Sequence, residues 1–144
     1  VRTCVEPCGV RWPARVKRGV SDALVSQVDL VASLAALTQQ SVPQGDAADS
    51  TNQLAALLGE DPVGRDHIVE HAGGLALREG RWKYIEPSKG PRRNEYTNTE
   101  LANDPLPQLY DLDTDIGETR NIAADHPDRV KAMAGRVAAI RQAP

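Results

Sequence analysis

A chain of 144 residues with a net charge of -3 and a pI near 5.6 is long enough for one domain that buries roughly two-thirds of its unfolded surface, and it lacks the clustered basic composition expected of a nucleic-acid binder. No window approaches the ~18 consecutive apolar residues of a membrane span, and no N-terminal stretch has signal-peptide architecture. With aromatic residues at 3% and Phe absent, the core must rest on Leu, Val, Ala and two Trp, which makes it thin.

The opening segment combines Pro7, Gly9 and Pro13 with Val10, Arg11 and Trp12, which predicts a short strand already in progress and ending at the proline. The chain therefore reads as a piece of a longer protein. Cys4 and Cys8 in the same segment admit a loop disulfide, two buried thiols or a metal pair, although no second Cys/His pair completes a zinc site. Asp22 to Val25 is expected as a short strand. Ser26 and Asp29 then form a capping-box pair ahead of an apolar pattern at Leu30, Val31, Leu34 and Leu37, so a helix is predicted from about Gln27 to Thr38.

Residues 39–52 turn to loop chemistry. Gln53 to Leu58 is a brief helical patch stopped by Gly59, and Arg65 to Ala72, with Ile68 and Val69, reads as a strand closed by Gly73 and Gly74. Leu75 and Leu77 alternate with Ala76 and Arg78, Glu79 and Gly80 supply a turn, and Arg81 to Ile85 sets Trp82 and Tyr84 on the pleat face opposite Lys83 and Ile85. This is a β-hairpin with an aromatic face. Glu86 to Pro107 is polar, Pro-rich and longer than most connections, the kind of loop that is functional or disordered. A strand around Gln108 to Leu112 and an acidic turn follow. Asp125 then caps an amphipathic helix whose stripe is Val130, Met133, Val137 and Ile140.

Little chemistry is self-evident. Asp111, Asp113, Asp115 and Glu118 invite a calcium loop, but Ile116 and Ile122 stand where that loop needs Gly and a bidentate Glu; a strand end and turn shaped by Asp115 and Gly117 and ended by Asn121 is the plainer reading. His67 and His71 share a strand face yet lie about 13 Å apart at strand rise, too far to share one ion. His71, beside a Gly-Gly where backbone can approach a ligand, is a candidate substrate contact. Trp82 is a second, either stacking on a sugar face or packing into the core. The set Arg78, Arg81, Lys83, Lys89, Arg92 and Arg93 describes either a solvated hairpin or a positive field for an anionic substrate. No G-x-S-x-G, P-loop or dinucleotide fingerprint occurs.

The string G-R-W-K-Y-I (80–85), followed by L-Y-D-L-D-T-D-I-G-E-T-R-N-I-A (109–123), resembles the C-terminal subdomain of the type I, formylglycine-dependent sulfatases. V-R-W-P (10–13) and S-D-A-L-V-S-Q-V-D-L-V-A-S-L-A-A-L (21–37) resemble earlier motifs of that family, in the family's order. The resemblance implies an α/β fragment. Residues 1–58 would end an alkaline-phosphatase-like catalytic domain, and residues 59–144 would form a small antiparallel sheet subdomain with a C-terminal helix. It also implies hydrolysis of sulfate esters, with a sulfated small molecule or saccharide as substrate, a missing N-terminal catalytic domain as partner, calcium held upstream, and a periplasmic or extracellular location. Neither Cys4 nor Cys8 lies in the C-x-P-x-R motif that yields formylglycine, so no catalytic or metal residue carries over and the chain alone is expected to be inactive. The competing expectations are a non-catalytic carbohydrate-binding or assembly module and a related phosphodiesterase or phosphonate hydrolase.

Overall fold

The computed structural model describes residues 8–72 and 74–142, with backbone only for Ala72. The described residues fall into two compact units, one ending at Ile68 and the other beginning at Val69. Cys4 and the Glu6-Pro7 pair lie outside the described residues. Cys8 is exposed and free, which removes the disulfide and buried-thiol readings for it.

In the first unit, the strand expected at Val10 to Pro13 is not formed. The N–H groups of Arg15 and Val16 both donate to the Trp12 carbonyl at 2.9 and 2.8 Å, curling the chain into a turn, and the Arg15 guanidinium sits 5.4 Å from the Trp12 ring centroid. An extended segment needs a paired neighbour to satisfy its backbone, and the described residues offer it none. The strand expected at Asp22 to Val25 is likewise reduced to one parallel bridge between Leu24 and Gly64. Gly64 has φ +71, and a Cβ there would fall 2.4 Å from the Leu24 carbonyl oxygen, so only glycine closes this contact.

Helix α1 spans Asp29–Leu37 and the single turn α2 spans Leu54–Leu57. The predicted capping pair is present in its return half: the Ser26 N–H donates to Asp29 Oδ2 at 3.0 Å. The predicted apolar stripe is also present, and it lies on the open side of the helix. Leu30, Val31 and Leu34 are 41%, 51% and 53% exposed, while Asp29 and Ser33 are buried. The reason is a polar anchor across the buried side. The Ser33 hydroxyl accepts the Gln53 N–H, and the Ser50 hydroxyl caps the otherwise orphaned Ala32 N–H.

The second unit is built on a four-stranded antiparallel sheet in the order β1 (His67–Ala72), β2 (Gly74–Glu79), β3 (Trp82–Ile85) and β4 (Gln108–Asp111). Glu79 pairs with Trp82 across a two-residue loop whose Gly80 has φ +54, the glycine placement of a type II′ hairpin. Helix α3 (Pro127–Gln142) lies against β2 and β3. Met133 and Val137, from the predicted stripe, join Leu77, Tyr84 and Leu109 in a fully enclosed cluster, with Trp82, Val130 and Ile140 packed around it. The other sheet face carries Ile85, Tyr110 and Leu112. The hairpin alternation read from the sequence is therefore the one that divides the two cores.

Candidate functional site

The two residues read as substrate contacts occupy different ends of the sheet. His71 is exposed near the end of β1, just before β2 begins at Gly74; Trp82 opens β3 opposite Glu79, the last residue of β2. The run of β2 separates them by about 17 Å at strand rise, so they do not converge on one small ligand. Trp82 is half-buried against the helix-facing core. Its ring is also contacted by the chain itself: the guanidiniums of Arg81 and Arg129 lie 4.8 and 5.2 Å from the centroid, and His126 meets it edge-on at 5.5 Å. Cation–π contacts of this kind hold arginines in place at partly exposed sites. Arg129 and His126 also line a shallow depression with Asp125 and Asp128. No residue pattern announces this cluster, because Arg129 is 47 positions from Trp82 and only packing of α3 on β3 brings them together.

The positive set read into the hairpin is cancelled in part: Arg81 pairs with Asp111 at 3.4 Å and Arg92 pairs with Asp104, while Glu79 and Glu86 are engaged by Arg136 and Arg141 and offset none of it. Lys83 belongs to no surface set at all. It is 1% exposed and donates to both carboxylate oxygens of Glu118, at 2.7 and 2.9 Å. Glu118 holds φ +52, an uncommon conformation for a residue with a Cβ, which aims its carboxylate beneath the sheet.

The acidic turn serves the backbone, as the plainer sequence reading has it. Asp115 accepts the N–H groups of Thr119 and Arg120, and the Asn121 side chain accepts the Leu109 N–H at 3.0 Å. With Asp111 on Arg81 and Glu118 on Lys83, this donor set does not fit a calcium ion. Among the described residues, no group of three His, Cys, Asp or Glu is placed to share a metal. His67 Nδ1 lies 2.7 Å from Asp66 instead.

Two polar centres escaped sequence reasoning. In the first unit, Asp29 gathers five hydrogen bonds. Arg65 approaches it through Nε at 2.7 Å and Nη2 at 2.5 Å, and Thr51 and Ser26 supply the rest. Burial opposes its ionisation, but the Arg65 guanidinium and the Thr51 and Ser26 donors outweigh it and hold the carboxyl at about 2. In the second unit, the long loop is ordered around buried Asn103, which donates to the Pro91 carbonyl at 2.9 Å and accepts from the Ser88 hydroxyl at 2.7 Å.

No family model matches the chain. It is 47% identical over 129 residues to an N-acetylgalactosamine-6-O-sulfatase of Bacteroides thetaiotaomicron, an alignment covering 88% of this chain and 25% of that protein. A solved structure described under the metabolism of multiple glycosaminoglycans by Bacteroides thetaiotaomicron superposes with a TM-score of 0.85 at 44% identity, covering 92% of this chain and 28% of that one. The chain is a sulfatase C-terminal region. Human arylsulfatase A is a more distant sulfatase relative, 30% identical over 146 residues, with 89% of this chain and 29% of that protein covered. The chain thus spans about a quarter of the length of the sulfatases it matches. Among its described residues, no helix is long and apolar enough to cross a membrane.

Proposed function

We propose that the parent polypeptide hydrolyses sulfate esters of saccharides, with an O-sulfated amino sugar such as N-acetylgalactosamine 6-sulfate as the favoured substrate class. One observation carries this reading: 47% identity to an N-acetylgalactosamine-6-O-sulfatase across 88% of the chain. In this reading residues 1–58 end the catalytic α/β body, residues 59–144 form an accessory lobe, and the formylglycine nucleophile and calcium ligands are supplied by the parent upstream. The outward-facing Leu30, Val31 and Leu34 support the first assignment, since a helix that is apolar on its open face is built to be covered. His71 contributes a substrate contact and Trp82 acts through the guanidiniums it holds. The acceleration itself belongs to charge stabilisation and an activated nucleophile outside this chain. Action on polysaccharides is consistent with export.

The experiment is to assay the parent polypeptide and the 144-residue chain in parallel on an aryl sulfate, N-acetylgalactosamine 6-sulfate and the matching phosphate esters. Sulfate release by the parent and none by the chain alone is the expected result. Turnover by the chain alone, or preference for the phosphate esters, would refute the reading.

A further inference from the structure

The connection between β3 and β4 ends in a tip that is fixed from within yet presents an aromatic ring to solvent. Arg93 and Glu100 form an antiparallel bridge, flanked by Leu101 N–H to the Arg92 carbonyl and Asn94 N–H to the Thr99 carbonyl, both 2.8 Å. Inside it the Asn94 side-chain oxygen accepts the N–H groups of Tyr96 and Thr97 at 2.9 and 3.2 Å, and Asn98 turns the chain at φ +52. Asn103 pins the base of the loop to Pro91 and Ser88. The side chain at the apex, Tyr96, is 96% exposed.

A tyrosine so exposed adds nothing to the core, while a tyrosine on a fixed turn is a low-entropy contact surface, having only two side-chain torsions to freeze. Its neighbour Arg93 is fixed as well, donating to Asn98 Oδ1 at 2.9 Å. Because that acceptor is neutral, the bond orients the guanidinium without cancelling its charge, unlike Arg92 on Asp104. Exposed Glu95, and Glu100 across the bridge from Arg93, temper the local field, so the tip is no general sink for anions. Its recognition rests on the ring face, with Arg93 as a fixed donor.

Resting on the saccharide reading above, we propose that the Arg93–Glu100 tip is a contact for a sugar ring of a sulfated oligosaccharide, Tyr96 supplying the stacking face and Arg93 a hydrogen bond to a hydroxyl or sulfate oxygen. A ligand of several rings offers the tip a sugar beyond any held elsewhere, so the contact is expected to favour longer chains.

The test is titration calorimetry on the parent polypeptide with a hexasaccharide containing 6-sulfated N-acetylgalactosamine and with the 6-sulfated monosaccharide. Tyr96→Ala is expected to weaken hexasaccharide binding about tenfold and to leave monosaccharide binding unchanged; Tyr96→Trp retains both. An unchanged hexasaccharide Kd, equal losses for the two ligands, or no hexasaccharide binding by the unmodified protein overturns the proposal. Failure of the sulfatase reading registers separately, as absence of sulfate release by the unmodified parent, and does not enter the binding comparison.

Discussion

Replacing Asp29 by Asn tests the anchor of the first unit with almost no change of shape. The carboxylate is 1% exposed and faces only donors: Arg65, whose side chain is 16% exposed, the Thr51 N–H and hydroxyl, and the Ser26 N–H. An amide presents two N–H groups of its own to these donors and leaves the guanidinium without a counter-charge. Lowering the carboxyl from 3.8 to about 2 corresponds to roughly 2 kcal/mol at neutral pH, and breaking one side of a buried ion pair costs about 3–5 kcal/mol. A loss of about 3 kcal/mol is therefore expected for Asp29→Asn. Since the folded value is depressed, the stabilisation is complete above the unfolded value of 3.8 and disappears as pH falls through about 2. Hydrogen exchange of the α1 amides gives the opening free energy at each pH. The gap between unmodified protein and variant should narrow by roughly 1–2 kcal/mol from pH 7 to pH 2.5. A cost below about 1 kcal/mol, or a gap that does not change with pH, would show that the carboxylate is not the anchor.

Lys83→Met leaves Glu118 buried beneath the sheet and is expected to cost about 3–5 kcal/mol, read as a fall in the melting temperature of the second unit, whereas Lys89→Met on the exposed loop should shift it little. Burial, reinforced by negative charge at Glu118, pushes the Tyr110 hydroxyl up from 10.0 to about 12. The folded state thus keeps its proton longer, stability falls as pH rises from 10 towards 12, and Tyr110→Phe should remove the last step of a tyrosinate absorbance titration. Asn103→Ala strands the Pro91 carbonyl and the Ser88 hydroxyl, and should raise hydrogen exchange across residues 88–104 by an opening cost of about 1–3 kcal/mol, with β2, β3 and α3 unchanged. Finally, His71→Ala in the parent should lower kcat/KM for the sulfated sugar without altering the melting temperature; unchanged kinetics would remove His71 from the substrate site.

What the sequence disclosed follows the range of the forces involved. The hairpin and its two faces were legible because strand alternation is local: Tyr84 and Ile85 had to part company whatever lay above and below them. The α3 stripe was legible for the same reason, Met133 and Val137 being one helical repeat apart. Lys83 was not, because its burial depends on Glu118, 35 positions away, adopting a left-handed backbone that no pattern of residue types announces. The period of α1 was legible, but not which of its faces these residues would cover. Periodicity says which residues share a face, and only the neighbours decide which face is covered; here Arg65, Thr51 and Gln53 bring polar groups to the side opposite the apolar stripe. Arg129 over Trp82 belongs with Lys83, since its partner arrives through tertiary packing alone.

The inverted polarity of α1 bears on how the chain behaves in the hand. Expressed without its parent, it offers Leu30, Val31 and Leu34 to any greasy surface it meets, so precipitation and self-adhesion are the expected nuisances of purification. Charged replacements at those three positions would make a better-behaved reagent, because the polar anchor that holds the helix lies on its other side.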